Sequence, residues 1–212
     1  MAAPVLVLAS RSAGKLRELR ALCEAAGFAA DDLASLGIAE DEAEDALEVH
    51  ATFEENALAK ARWFAERLPG RAIIADDSGL EVAVLGGAPG VRSKRWAGHV
   101  GTLEGAALDV ANAEALVREL RGRDDRRARY VCAAVCVRDA DSWSARGEVS
   151  GRILDAPRGA GGFGYDPWFL SDELGRTFAE VSGEEKAGVS HRARAMSALL
   201  RTLARDLPLT AR

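Results

Sequence analysis

The chain has 212 residues, of which 48% are hydrophobic and 29% are charged, and its formal net charge is -5. This length suits one large domain or two small lobes that share a core, and the composition is ordinary for a globular protein. An acidic chain is poorly suited to binding a nucleic-acid backbone, which requires a basic surface, so nucleic-acid-binding proteins are disfavoured.

The first predicted elements are a strand and a helix joined by a polar turn. Val5–Ala9 is a short apolar run typical of a buried strand, and a helical period runs from about Ala13 until Gly27 ends it. The turn between them, Ser10 to Lys15, leads directly into the helix N-terminus, where free N–H groups and the helix dipole favour anions. An ordinary capped helix start with a solvated lysine is the alternative.

A second helix is predicted after an acid-rich stretch. Residues 39–50 predict a loop, and one or two of its carboxylates could complete a metal site, with a solvated acidic loop as the alternative. The sequence Thr52-Phe53-Glu54-Glu55 has the form of a capping box, and the helix that it begins stops before Pro69.

Two adjacent carboxylates follow the next apolar run. Ala72–Ala75 predicts a short strand that ends at Asp76-Asp77-Ser78-Gly79. Ligands of open α/β sheets bind at the carboxyl ends of strands, where two carboxylates could hold Mg²⁺ and orient a water molecule. An Asx turn that leaves the strand is the alternative.

The second half of the chain is β-rich before it ends in a helix. We predict a helix from about Thr102 to Arg121, strands at Tyr130–Val137 and Trp143–Leu154, and a glycine-rich stretch at residues 159–164. The last helix carries an apolar stripe at spacings of three and four residues, formed by Met196, Leu199, Leu200, Leu203 and Leu207. This alternation of strands and helices predicts an α/β fold.

The glycine-rich stretch leads into aromatic residues. In Phe163-Gly164-Tyr165-Asp166, rings on a turn can stack on a nucleobase, and the Asp166 carboxylate can accept a hydrogen bond from a purine N–H. A turn that packs its rings into the core is the alternative, above all for Phe163 and Trp168.

Cations are predicted at the start of the last helix. Ser182 and Glu185 have capping-box spacing, so a short helix begins there and is expected to be interrupted at Gly188. If Ser190 caps the last helix, His191 and Arg192 fall in its first turn, where cations oppose the helix dipole. An anion or a purine oxygen between them would explain this local conflict, and two solvated cations are the alternative.

The cysteines and the N-terminal residues indicate a reducing compartment. The three cysteines include no C-x-x-C pair, so neither a disulfide framework nor a zinc site is expected. Cys132 and Cys136 share one face of a predicted strand and are expected in the core. The N-terminal residues lack a basic segment and a long apolar stretch, so we expect no signal peptide, no membrane span and a cytoplasmic location.

The order of these motifs along the chain resembles the inosine triphosphate pyrophosphatase family, which removes non-standard purine nucleotides such as dITP, ITP and XTP. The resemblance extends from about residue 5 to residue 200. Its blocks are Ser10 to Leu19, Thr52 to Ala57, Ala75 to Leu80, Leu85 to Val91, Gly162 to Pro167, and Glu184 to Lys186 with Ser190 to Arg192.

The resemblance implies an α/β fold with an elongated mixed β-sheet flanked by helices, and two lobes with a central substrate cleft. It implies one such domain over residues 1–212, usually as a homodimer. It also implies a Mg²⁺-dependent hydrolase in which water attacks the α-phosphorus of a nucleoside triphosphate and pyrophosphate leaves.

The resemblance assigns roles residue by residue. Asp77 is expected to be the general base and a Mg²⁺ ligand, and Ser78 to contact the substrate. A second acidic ligand is expected upstream of Thr52, where Glu48 is the best match and Asp45 the alternative. The triphosphate and base are expected to contact Ser10, Arg11, Ser12, Ala13, Gly14, Lys15, Phe163, Gly164, Tyr165, Asp166, Lys186, His191 and Arg192.

Two other functions remain open on the sequence. One is a pyrophosphatase for other modified nucleotides, since the base pocket decides the substrate. The other is a catalytically silent nucleotide-binding protein, which the intact Asp76-Asp77-Ser78 motif disfavours.

Overall fold

The structure, a computed structural model, describes residues 5–98 and 103–207, without the side chain of Asp45. The strands in these ranges are β1 (Val5–Leu8), β2 (Ala29–Asp32), β3 (Ala72–Val82), β4 (Arg127–Arg138), β5 (Asp141–Ile153) and β6 (Phe169–Ser171). The α-helices are α1 (Ala13–Ala25), α2 (Phe53–Arg67), α3 (Gly105–Glu119), α4 (Gly183–Val189) and α5 (His191–Asp206).

The strands form one mixed sheet in the order β2-β1-β3-β4-β5-β6. β1 runs parallel to both β2 and β3, whereas β5 and β6 are antiparallel. A mixed sheet with helices between its strands confirms the predicted α/β class. None of the helices in the described part of the chain has the length and apolar character needed to cross a membrane.

The chain divides into two compact units. The first comprises residues up to Ser78, Cys132–Gly147 and residues from His191 onward, and the second comprises Gly79–Val131 and Glu148–Ser190. Strands β3, β4 and β5 therefore contribute residues to both units.

The core of the first unit is built from α1, α5 and the strands β1, β3 and β4. Leu19 and Cys23 of α1 are buried there, and the predicted stripe of α5 is buried with them. All three cysteines of the chain are buried free thiols in this core, as predicted for Cys132 and Cys136.

The core of the second unit combines α3 with an aromatic cluster. Leu116 of α3 is buried there with Tyr130, Phe169 and Phe178, and the rings of Tyr130 and Phe169 lie 4.7 Å apart between centroids. Asn112 of α3 accepts a hydrogen bond from Ala97 N and donates one to the carbonyl of Lys94. These bonds fix α3 against the preceding segment of the chain.

Two predicted boundaries are wrong. Strand β3 does not end at Ala75 but continues to Val82, because β4 remains its hydrogen-bonded neighbour beyond the end of β1. Helix α4 is not interrupted at Gly188 and runs to Val189. The capping box of Ser182 and Glu185 fixes its start, and a helical glycine costs only about 1 kcal/mol.

The remaining predicted elements are close to the observed ones. The strands β4 and β5 and the helices α1, α2 and α5 confirm the predictions. Thr102, where the third helix was predicted to begin, lies outside the described residues. The strands β2 and β6 were not predicted, because runs of four and three residues carry too little periodicity.

Because α5 lies very close to β5, we predict that adding one methyl group at Gly147 strongly lowers the stability of the fold. A Cβ at Gly147 would lie 2.2 Å from the carbonyl oxygen of His191 and 2.5 Å from Ala195 N, both backbone atoms. We therefore expect Gly147→Ala to lower the free energy of unfolding by about 3 kcal/mol, measured by urea denaturation. Gly188→Ala is the matched control, because that Cβ meets nothing within 4 Å in α4 and should raise stability by about 0.5–1 kcal/mol. An unchanged midpoint for Gly147→Ala would contradict this packing.

Candidate functional site

The end of strand β1 brings the polar turn beside the two adjacent carboxylates. β1 pairs with β3 as far as Leu8 and Ile74, and Ala9 N then donates to the Ile74 carbonyl at 2.7 Å. Beyond this point the chain turns away into Ser10 to Lys15, while β3 continues through Asp76 and Asp77. The turn and the carboxylates predicted from separate motifs therefore lie together at the carboxyl end of β1, where α/β sheets bind ligands.

The turn is shaped by its own side chains. Ser12 is the N-cap of α1, and its hydroxyl accepts a hydrogen bond from Lys15 N. The side chain of Arg11 contacts the protein instead of lying over the turn: it donates to Glu44 Oε2 at 3.0 Å and to the Ile38 carbonyl at 2.9 Å. The turn thus presents the start of α1 and the ammonium group of Lys15 as its positive features.

Asp76 is a buried counterion between two cations. Its side chain is 1% exposed, and Oδ2 lies 3.2 Å from Lys15 Nζ and 3.1 Å from Arg192 Nε. Its Oδ1 is buried without a hydrogen-bond partner among the described residues. Burial by itself would raise the pKa of Asp76, but Lys15 and Arg192 outweigh it and hold that pKa well below its usual range. Asp76 is therefore ionised at neutral pH.

The guanidinium of Arg192 is bound on several sides by protein groups. Besides Asp76, Nη2 donates to the Ser78 hydroxyl at 2.8 Å and Nη1 pairs with Glu18 of α1. These carboxylates balance the charge of Arg192 in the first turn of α5. The anion or purine oxygen expected between His191 and Arg192 stays a prediction. Glu18 was not singled out from the sequence, because its partner lies 174 residues further along the chain.

Asp77 is held in one orientation by two donors. The residue is 6% exposed, Oδ2 accepts from Asn56 Nδ2 at 2.9 Å, and Oδ1 accepts from Ser78 N at 2.9 Å. The amide of Asn56 is itself oriented, because its Oδ1 accepts from His50 N. Burial raises the pKa of Asp77; Lys15 opposes this rise, and the charge of Glu48 adds to it. A carboxylate with a raised pKa in a fixed orientation suits a general base or a metal ligand.

Glu48 lies in the same group. Its carboxylate pairs with Lys60 of α2, and Lys60 Nζ also donates to the Asp76 carbonyl at 3.3 Å. Lys60 was missed in the sequence, although it stands two helical turns after the Thr52 cap. The side chain of Asp45, the alternative second ligand, lies outside the described residues.

The donor set fits Mg²⁺. Asp77 and Glu48 supply hard carboxylate oxygens, and they are near enough for the charge of Glu48 to raise the pKa of Asp77. Among the described residues, no group of three or more His, Cys, Asp or Glu side chains could hold a metal ion. Mg²⁺ commonly binds through one or two carboxylates, with water and substrate phosphates completing its shell, so a two-carboxylate set suits this ion.

A second cluster, in the second unit, surrounds Asp166. Its Oδ2 accepts from Lys186 Nζ at 2.6 Å and from Phe163 N at 2.9 Å, and Tyr130 donates to its Oδ1 at 3.3 Å. Lys186 Nζ also lies 4.7 Å from the centroid of the Phe163 ring. The structure thus brings together Phe163, Asp166 and Lys186, three predicted base-binding residues from two separate motifs.

The turn from Gly162 to Asp166 depends on glycine. A Cβ at Gly162 would lie 2.3 Å from Asp166 Oδ2, and the residue has a φ of 73°. Gly164 also has a positive φ, and its N–H donates to Asp109 Oδ2 of α3 at 2.8 Å. Tyr165 is buried, with its hydroxyl donating to the Ser93 carbonyl, whereas Phe163 is half-buried. The packed-ring alternative therefore holds for Trp168, which is buried in the core of the second unit, and also for Tyr165, but it does not describe Phe163.

The remaining predicted residue, His191, is buried at the start of α5 in the first unit. The predicted site residues therefore fall into two groups. The triphosphate and metal residues with His191 and Arg192 belong to the first unit, and the base residues with Lys186 belong to the second.

Comparisons with known proteins identify relatives over almost the whole chain. The model of the Ham1 family matches residues 6–202. A dITP/XTP pyrophosphatase of Ralstonia nicotianae is 51% identical over 201 residues, which are 93% of this chain and 96% of that protein. A dITP/XTP pyrophosphatase of Mycolicibacterium paratuberculosis is 49% identical over 208 residues, which are 94% of this chain and 97% of that protein.

Solved structures show the same fold. The Ham1 protein of Staphylococcus aureus superposes with a TM-score of 0.78 at 36% identity, covering 94% of this chain and 98% of that chain. A HAM1 protein from Coxiella burnetii gives a TM-score of 0.79 at 34% identity, with 95% and 98% covered. These similarities confirm the resemblance drawn from the motifs.

Proposed function

The chain belongs to the Ham1 family, and on this basis we propose that it hydrolyses non-standard purine nucleoside triphosphates, such as dITP, ITP and XTP, to the monophosphate and pyrophosphate. The observation that carries the proposal is the buried Asp77, oriented by Asn56 beside Lys15 and Asp76 at the carboxyl end of β1. Relatives with at least 46% identity are dITP/XTP pyrophosphatases, which supports the choice of substrate class.

The phosphates are bound by the turn before α1. The first N–H groups of α1 and the ammonium group of Lys15 stabilise the negative charge of the triphosphate. Asp77 accepts a proton from a water molecule, whose oxygen then forms a bond to the α-phosphorus. The bond between the α-phosphorus and its bridging oxygen breaks, and pyrophosphate leaves with that oxygen. Catalysis of this kind depends on positioning and charge stabilisation, which these residues supply without a covalent intermediate.

Asp77 and Glu48 are the residues that would hold Mg²⁺. When bound there, the ion supplies charge neutralisation for the phosphates and lowers the pKa of a water molecule. Lys60 of α2 balances the charge of Glu48 and donates to the carbonyl of Asp76. It therefore holds the segment of Glu48 and the segment of Asp76 and Asp77 close to α2.

The base is recognised by the cluster of the second unit. The half-buried Phe163 ring offers a stacking surface, and Lys186 and Asp166 offer a donor and an acceptor of hydrogen bonds. A 6-oxo purine can accept a hydrogen bond at O6, where adenine carries an amino group. An amino group there would leave a buried donor unpaired, which disfavours adenine nucleotides.

The deciding experiment is turnover of dITP, XTP, dATP, dGTP and dUTP by the purified protein with Mg²⁺, with pyrophosphate and orthophosphate assayed separately. Pyrophosphate release that strongly favours dITP and XTP is expected. Preference for dUTP would instead assign the chain to pyrophosphatases of other modified nucleotides. Binding without turnover would make it a silent nucleotide-binding protein. The cytoplasmic location and the homodimer stay predictions.

If Asp77 binds Mg²⁺, the pH profile of kcat should depend on the Mg²⁺ concentration. Because a proton and Mg²⁺ compete for the Asp77 carboxylate, more Mg²⁺ keeps Asp77 ionised to lower pH. We expect the midpoint of the acid limb of kcat to fall by up to about one pH unit for a tenfold rise in Mg²⁺, and EDTA to abolish turnover. The pH profile of pyrophosphate release at two Mg²⁺ concentrations tests this. A midpoint that does not move would remove Asp77 from the metal site.

A further inference from the structure

The turn that carries the base-binding residues is held from outside by one carboxylate of α3. Within the turn, Phe163 N donates to Asp166, and Asp166 is held in turn by Lys186. Asp109 belongs neither to the turn from Gly162 to Asp166 nor to the motif that carries Lys186. Its Oδ2 nevertheless accepts a hydrogen bond from Gly164 N at 2.8 Å, across 55 residues of sequence.

This contact lies at the middle of the turn. Gly164 has a φ of 63° and separates Phe163 from the buried Tyr165. A left-handed glycine can readily leave this conformation, because it has no Cβ to restrict its backbone. A hydrogen bond from its N–H to an ionised carboxylate is stronger than one between neutral groups, so it opposes such a change.

The position of Asp109 is itself determined by α3. Leu116 and Ala113 pack into the core of the second unit, and Asn112 bonds the backbone at Lys94 and Ala97. Asp109 stands one turn before Asn112, on a helix that is anchored at that point. The carboxylate is therefore presented to Gly164 by a rigid element and not by a loop.

We propose that Asp109 is a positioning residue for base recognition: by accepting the Gly164 N–H, it holds the turn in the conformation that presents Phe163 to the purine. The inference rests on the proposed function, because it takes this turn as the base-binding element. It makes Asp109 a determinant of affinity for the base portion of the nucleotide, without a role in binding the phosphates.

Two ligands allow binding of the base and binding of the phosphates to be measured separately. Inosine monophosphate carries the base, whereas inorganic tripolyphosphate carries the phosphates alone. In Asp109→Ala, we expect the dissociation constant of inosine monophosphate to rise about tenfold, and that of tripolyphosphate to change by less than about twofold. The KM for dITP should rise with little change in kcat. Asp109→Asn retains an acceptor oxygen and should restore most of the affinity.

Controls distinguish positioning from a general loss of structure. Glu114→Ala removes an exposed carboxylate of the same helix, which pairs with Arg118, and should bind both probes like the wild type. Hydrogen exchange at the Gly164 amide should accelerate in Asp109→Ala and much less in Asp109→Asn. Equal weakening of both probes, or no weakening of inosine monophosphate in Asp109→Ala, would overturn the inference. Absence of turnover in the wild type would instead overturn the proposed function.

Discussion

Asp77→Asn is expected to lower kcat for pyrophosphate release from dITP by about a thousandfold or more. Asparagine has nearly the same shape and keeps one acceptor oxygen, so it retains one of the two hydrogen bonds that Asp77 accepts from Asn56 and Ser78 N, and the fold should be retained. It cannot accept a proton from water at neutral pH, and it lacks the charge that a metal ligand requires. Turnover, the thermal midpoint and the affinity for tripolyphosphate should be measured together.

The matched control for this variant is Asp31→Asn. Asp31 is in the same unit and pairs with Arg71, with its side chain 38% exposed. Its replacement should leave kcat unchanged, because a partly exposed ion pair contributes little. Rates near those of the wild type in Asp77→Asn would exclude Asp77 as the general base.

Asp76→Asn is expected to be the most destabilising conservative change in the chain. It removes the buried charge that faces both Lys15 and Arg192. Arg192 keeps its pair with Glu18, but Lys15 loses its ion-pair partner, and breaking this buried pair costs about 3 kcal/mol. For a chain of this size, the thermal midpoint should fall by about 10 °C. Differential scanning calorimetry of the two proteins without ligand measures this difference.

An anion that binds the turn should restore part of this loss. Tripolyphosphate supplies negative charge near Lys15, so it should raise the thermal midpoint of Asp76→Asn by more than that of the wild type. An equal rise in both proteins would show that Lys15 does not contact the phosphates. A midpoint of Asp76→Asn equal to that of the wild type would contradict the role of Asp76 as a counterion.

The elements that could be predicted from the sequence are those with a hydrophobic periodicity sustained over many residues or with a local capping signal. The stripe of α5 and the Thr52 cap of α2 determine their elements locally, and both were predicted. The end of β3 could not be predicted, because polar residues normally mark the end of a strand. Here Asp76 and Asp77 continue in the strand because β4 pairs with it and because Lys15, Arg192 and Asn56 neutralise or bond their carboxylates.

The candidate site was predictable where its residues stand in compact motifs. Asp77, Lys15 and Asp166 were predicted in this way. Contacts between distant segments give no local signal: Asn56 meets Asp77 across 21 residues, and Asp109 meets Gly164 across 55. Their partners are determined by how α2 and α3 pack, which a single sequence does not reveal.

The ion pairs around Asp76 have a kinetic consequence. The cations of this group are outnumbered by its carboxylates when Asp77 is ionised. The cations are Lys15, Lys60 and Arg192, and the carboxylates are Glu18, Glu48, Asp76 and Asp77. Such a group generates no positive field that would attract a triphosphate over long distances. Added salt should therefore not slow association, in contrast to electrostatically steered binding, and the nucleotide should arrive most rapidly when divalent cations already screen its charge.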